Sequence, residues 1–118
     1  MAITATAVQN SGGGWTVNAY SADLSGCEEI KAAPGAGSKL EIHSITLNCA
    51  TAITVTVGAG ETTGAVTTIL IGPVTFTTGG QAFTRFFNPP ILLAANTSLT
   101  IDASGAGAVL AVVQGKTI

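Results

Sequence analysis

Residues 40–57, LEIHSITLNCATAITVTV, decide the fold class of this chain. Apolar and polar side chains alternate through most of this stretch, which is the pattern of β-strands with one face in a core. The apolar parity switches between Ile42 and Ile45, and a β-bulge near His43 and Ser44 would return the apolar side chains to the inner face. The stretch therefore predicts two strands, the first of them bulged.

The same kind of pattern recurs along most of the chain, in short segments rich in Thr, Val and Ile that are separated by Gly, Pro and Asn. No window shows the 3.6-residue period of an amphipathic helix. We therefore predict an all-β fold, an antiparallel β-sandwich of jelly-roll type with about eight strands. Further strands are predicted at residues 3–8, 15–20, 67–71, 74–77, 81–87, 91–93, 98–103 and 108–114.

The length of 118 residues is that of one domain. We divide it into an extended N-terminal arm, residues 1–20, and a single β-sandwich domain, residues 21–118. The glycines at 12–14 would act as a hinge within the arm. Residues 21–39 hold half of the charged side chains together with Pro34, Gly35 and Gly37, so we predict an irregular connection there, with one short strand over residues 29–32.

Charge is sparse, since only 8% of the residues are charged and the formal net charge is −2. A typical domain carries about a quarter charged residues, so burial of surface in an assembly is the simplest explanation. The four basic residues are scattered and form no stripe that could neutralise a row of phosphates, so we expect no direct nucleic-acid binding. No apolar run reaches the ~18 residues of a membrane span, and the N-terminus lacks a signal-peptide pattern. We expect no membrane association and synthesis in a cytoplasm.

Few side chains suggest chemistry. His43 is the only histidine, and beside Glu41 it is better explained as a surface pair than as a metal ligand. Cys27 and Cys49 do not form a disulfide framework, and we expect free thiols. We therefore predict no catalytic, metal-binding or cofactor-binding residues, no cofactor, and a protein that is not an enzyme.

The aromatic residues offer candidates for contacts with other proteins. Phe83 and Phe87 share one parity of a strand and should enter the core, while Phe86 has the other parity and should face outwards. Arg85 beside it could pair with a neighbouring subunit. The candidate interface residues are Ile3, Val8, Trp15, Tyr20, Arg85 and Phe86.

Residues 39–115 resemble the small jelly-roll proteins of tailed-phage virions, which include capsid decoration (cement) proteins and head or tail fibre domains. The resemblance covers about two thirds of the chain and consists of a pattern of strands and turns. The segments that carry it are LEIHSITL at 40–47, AITVTVG at 52–58, NPPILL at 88–93, NTSLTI at 96–101 and VLAVVQG at 109–115.

This resemblance implies a homotrimer that binds the major capsid protein on the outer surface of a virion and stabilises the shell. Residues 1–20 would then grip the shell or a neighbouring subunit by adding a strand to a sheet edge. The alternative is a phage fibre or receptor-binding domain, which would contact host glycan or protein through turns such as residues 60–64 and 78–80. A carbohydrate-binding module or an enzyme subunit ranks below both.

Overall fold

The computed structural model describes residues 3–9, 11–62, 64–77 and 80–118. These residues form seven antiparallel strands and one short 3-10 turn, Ser11–Gly13. None of them belongs to a helix long and apolar enough to cross a membrane. The strands are β1 (Thr4–Gln9), β2 (Gly14–Lys31), β3 (Leu40–Cys49), β4 (Thr54–Thr62), β5 (Ala65–Thr75), β6 (Gln81–Leu92) and β7 (Leu99–Thr117).

The two longest strands, β2 and β7, pair with each other and take part in two sheets. Residues 14–21 of β2 pair with residues 109–116 of β7 in a five-stranded sheet of order β1-β2-β7-β3-β6. Residues 24–31 of β2 pair with residues 99–107 of β7 in a second sheet, of order β2-β7-β4-β5. The two four-stranded sheets, with β1 added at one edge, make the jelly-roll sandwich predicted from the sequence.

The core lies between the two sheets and is built from alternate residues of each strand, as period-2 patterning requires. The largest side chains that are fully buried include Trp15, Leu24, Ile45, Leu47 and Ile101. Phe83 and Phe87 pack against this core while Phe86 is 76% exposed, which confirms the orientation predicted for the three phenylalanines.

The predicted bulge in β3 is confirmed. The register of β3 shifts between Ile42 and Ser44 against both of its neighbours, β6 and β7. Ile42 and Ile45 are both fully buried despite their opposite parity. The extra residue at His43 thus keeps both isoleucines in the core.

The predicted boundary between an arm and a domain at residue 20 is wrong. It falls inside β2, and Trp15, Val17 and Ala19 are core residues of the sandwich. The irregular connection is also shorter than predicted, because β2 continues to Lys31 through register shifts at 21–24, 24–26 and 29–31. These shifts interrupt the two-residue period, and the sequence pattern therefore fails there. Only β1 keeps the exposed character expected of an arm.

Candidate functional site: an uncharged sheet face and an apolar groove

The outward face of the five-stranded sheet carries three rows of side chains that contain no charged residue. Each row crosses all five strands in the order β1, β2, β7, β3, β6. We call these fifteen positions the uncharged face. The rows are Thr4-Tyr20-Leu110-Asn48-Ala82, Thr6-Asn18-Val112-Thr46-Thr84 and Val8-Thr16-Gln114-Ser44-Phe86.

Side-chain hydrogen bonds join neighbouring strands across this face. Thr46 and Thr84 lie with their Oγ1 atoms 3.3 Å apart, and the Ser44 hydroxyl donates to Gln114 Oε1 at 3.3 Å. Such cross-strand pairs fix side chains in place and reduce the entropy lost when a partner binds. The polar part of the face is therefore partly ordered before any contact.

Four large apolar side chains are well exposed on this face, which also contains the partly buried Val112 and the small Ala82. Val8 and Tyr20 are each 52% exposed, Leu110 is 38% exposed and Phe86 is 76% exposed. Leu110 lies on β7, the middle strand of the five, while Val8 and Phe86 lie on the two edge strands. Apolar side chains at both edges and near the centre, with no charge between them, are typical of a surface that contacts protein.

The outer face of the second sheet differs in charge. Glu29 and Asp102 lie there on neighbouring strands, and Cys27 pairs with Asp102 across the β2–β7 ladder. Burial raises the pKa of the Cys27 thiol to about 11, and the negative charges of Glu61 and Asp102 add to the effect. The three uncharged rows thus differ from this acidic part of the second sheet, and charge on their own sheet begins in the next row, where Lys116 pairs with Glu41.

An apolar groove of about 520 Å³ opens where β5 and β6, the edge strands of the two sheets, face each other. Most of its apolar wall comes from Leu70 and from the end of β6, and Glu61 is the charged side chain among its lining residues. The lining residues are Ala59, Gly60, Glu61, Thr67, Thr68, Leu70, Ile91, Leu92, Leu93, Ala94 and Thr97.

The structure brings three of the six predicted interface residues onto one surface, since Val8, Tyr20 and Phe86 all belong to the uncharged face. Arg85 is exposed, but its parity on β6 is opposite to that of Phe86. Ile3 is partly buried against the core, and its backbone N–H donates to Glu28 Oε1 at 3.3 Å.

Trp15 is the prediction that the structure contradicts, because its side chain is only 1% exposed. Its indole N–H donates to Thr117 Oγ1 at 3.1 Å, and Lys31 Nζ lies 5.2 Å from the ring centroid. A large aromatic ring with its N–H satisfied inside the chain is a core residue. Trp15 is therefore unable to contact another subunit in this conformation.

The remaining side chains of types that can act in catalysis or bind a metal are dispersed. His43 Nε2 lies 2.7 Å from Glu41 Oε1, and this pair stands at the bulge of β3. Cys27 and Cys49 are both free, and burial raises the pKa of Cys49 to about 11. Within the described part of the chain, no three His, Cys, Asp or Glu side chains are placed to hold a metal ion.

Sequence reasoning missed Leu110 and the groove. Residues 108–113 are all apolar, so no alternation in the sequence distinguishes the exposed Leu110 from the buried Val109 and Ala111, and its position on the middle strand of the face depends on strand order. The groove depends on which edge strands face each other, and alternation carries no such information. Met1, Ala2, Asn10, Thr63, Thr78 and Gly79, which belong to the predicted arm and turns, lie outside the described residues.

No protein-family model, curated protein or solved structure matches this chain, so the surfaces described above are the basis for any assignment of function.

Proposed function

We propose that this protein is a structural component of a virion, a capsid decoration (cement) protein that binds the outer capsid surface as a symmetric oligomer and stabilises the shell. In this role it is not an enzyme. The single observation that carries the proposal is the uncharged face, whose fifteen outward positions across five strands include no Lys, Arg, Asp or Glu.

The composition of the face favours a protein partner. Charged side chains are costly to remove from water, and a face without them avoids this desolvation penalty. Its hydroxyl and amide groups can both donate and accept hydrogen bonds, so they can satisfy a partner's backbone or side chains. The face offers no cation to a phosphate backbone, which disfavours nucleic acid.

The size of the face suits a contact that is repeated around a symmetric assembly. Strands about 4.8 Å apart and rows about 6.8 Å apart give a surface of roughly 500 Å². A stable pairwise interface buries about 800 Å² on each partner, so one such contact alone would be weak. A trimer that makes three contacts at once raises the effective affinity without new chemistry. This is how a cement protein would bind a shell made of repeated subunits.

The alternative is a phage fibre or receptor-binding domain that recognises host glycan or protein. That function would require contacts through the loops at the ends of the sandwich, and it would leave the uncharged face for packing within a fibre. The first function places the protein on the outer shell of a virion and the second places it on a fibre, and cryo-electron microscopy distinguishes these two positions.

The test is add-back to virions that lack the protein. Virions made without the gene would be incubated with the purified chain, and cryo-electron microscopy would locate the added density. Regular density on the outer shell supports decoration, density at a fibre tip moves the assignment to host recognition, and no association refutes a virion role.

A substitution on the middle strand of the face tests the surface itself. Leu110→Lys would place an unpaired charge in the contact and should weaken attachment at least about tenfold, because burying such a charge costs more than 1.4 kcal/mol. Ile118→Lys is the matched control, since Ile118 is 53% exposed at the C-terminus and lies outside the three rows. Equal attachment of the two variants would exclude the uncharged face as the contact.

A further inference from the structure

The open side of the sandwich carries an apolar groove whose lining includes one charged side chain, Glu61. It lies between the edge strands β5 and β6, where no third strand joins the two sheets. Leu70, Ile91, Leu92 and Leu93 supply apolar surface, and Glu61 supplies the charge of the lining. Glu61 interacts with the Cys27 thiol through a hydrogen bond, and no described cation pairs with its carboxylate, whose remaining acceptor positions can bind an arginine.

Another position of the same chain offers an apolar ring and a positive charge. Phe86 is the most exposed of the large apolar side chains, at 76%, and Arg85, which precedes it on the edge strand β6, is exposed on the opposite face of that strand. Neither side chain has a described polar or ionic partner within the chain. Phenylalanine and arginine are both enriched at protein interfaces, and arginine is enriched among the residues that dominate their binding energy.

We propose that Phe86 of one subunit inserts into the groove of a second copy of this chain. Arg85 has the opposite parity, but it lies on the free edge strand β6, so its long side chain can extend past that edge and pair with Glu61 of that second copy. A cavity of about 150 Å³ suffices for a benzene ring, so a groove of about 520 Å³ holds the phenylalanine ring together with flanking side chains. The opposite charges of Arg85 and Glu61 set the orientation of the insertion.

The occupant is a second copy because the two halves of the contact face different directions. Phe86 points outward from the five-stranded sheet opposite Ser44, whereas the groove opens at the side of the sandwich between the two sheets. The Phe86 ring of one copy can meet the groove of the next copy when the copies are related by rotational symmetry. In a closed symmetric oligomer, every ring then lies in a groove and every groove holds a ring. This inference rests on the oligomeric part of the proposed function and requires no shell. It assigns Phe86 to the contact between subunits and leaves the other fourteen positions of the uncharged face to the shell.

The first experiment measures self-association by mass photometry and sedimentation equilibrium of the purified chain. Phe86→Ala should raise the dissociation constant at least about 30-fold, as expected for a residue that dominates an interface. Ile118→Ala is the matched control, since Ile118 is an apolar side chain that is 53% exposed and lies outside both the uncharged face and the groove. Thermal unfolding of the monomers verifies that both variants fold.

A charge exchange tests the orientation. Arg85→Glu and Glu61→Arg should each weaken association, because each places like charges together, and the double variant should recover most of the wild-type affinity. Recovery in the double variant requires that the two side chains meet across an interface, so a general loss of stability would not produce it.

Three outcomes overturn the inference: a wild-type chain that stays monomeric up to about 100 μM, an oligomer unchanged by Phe86→Ala, or single charge variants that lose affinity without recovery in the double variant. Each is distinct from failure of the proposed function. A monomer that still decorates virions refutes only the Phe86 contact, and a Phe86-dependent oligomer that never binds virions refutes only the virion role.

Discussion

Gly115 on β7 is a position where one methyl group should have a large effect on stability. A Cβ atom at Gly115 would lie 2.6 Å from Cη2 and 2.8 Å from Cζ2 of Trp15, and would also collide with the carbonyl oxygen of Glu41. The carbonyl belongs to the backbone of the neighbouring strand β3, so it cannot rotate away as a side chain would. The Gly115→Ala substitution therefore forces either the indole or the sheet to move.

The cost can be assembled from the contacts of Trp15. Overpacking a filled core costs about 1–3 kcal/mol. Displacing the ring would also weaken its hydrogen bond to Thr117 and the contact with Lys31, worth about 1 and 0.5 kcal/mol respectively. We expect a loss of about 3 kcal/mol in the free energy of unfolding. With an unfolding entropy of about 0.25 kcal/mol/K for a chain of this length, the melting temperature should fall by about 12 °C.

The assay is thermal and urea unfolding followed by circular dichroism, with Gly105→Ala as the control. Gly105 lies on the same strand, and a Cβ atom there would meet nothing within 4 Å. That control should change the free energy of unfolding by less than about 1 kcal/mol, in the stabilising direction, because alanine restricts the unfolded chain. Equal melting temperatures for the two variants would refute the packing described around Trp15.

Four other predictions concern the second sheet and the thiol of Cys49. Gly58→Ala should cost at least about 2 kcal/mol, because its Cβ would collide with the backbone oxygen of Thr68 and with Val66 Cγ1; a urea midpoint equal to that of the wild type would contradict this. Thr100→Val should cost about 1–2 kcal/mol in the same assay, because the buried Thr100 hydroxyl donates to the carbonyl oxygens of Gly58 at 3.2 Å and Gly60 at 2.8 Å. Burial raises the pKa of Cys49 from 9.0 to about 11. The stability that its neutral thiol contributes is therefore complete below pH 9.0 and is lost as the pH rises towards 11. If a Cys49→Ala variant lost as much stability as the wild type between pH 9 and 11, this prediction would be contradicted. At pH 9 the folded thiol should react with iodoacetamide about 50-fold more slowly than an ordinary cysteine, since its thiolate fraction is about 1%.

The parts of the fold that the sequence predicted are those in which apolar and polar side chains alternate clearly enough to show each strand face. Residues 40–49 predicted both the strand and its bulge, because the parity switch between Ile42 and Ile45 has one simple structural explanation. The phenylalanines of β6 followed the same rule. Local patterning thus sufficed wherever one strand face packs continuously against the core.

The parts that could not be predicted depend on contacts between distant segments. Residues 24–31 form an edge of the second sheet, where Glu29 faces outward and three register shifts interrupt the period. A charged and irregular segment of this kind resembles a loop until its partner strand is known. The exposed site depends even more on pairing, because the uncharged face exists only once Leu110 lies between Tyr20 and Asn48 on the neighbouring strands.

The passage of β2 and β7 through both sheets has a consequence for cooperativity. The hydrogen bonds between β2 and β7 belong to both sheets, so separation of these two strands would break strand pairing in both layers at once. Neither layer is an independent folding unit, and local opening is confined to the strands outside this shared pair, such as β1 and β5. The slowest-exchanging amides of the two layers should therefore report one and the same opening event, the global unfolding of the chain.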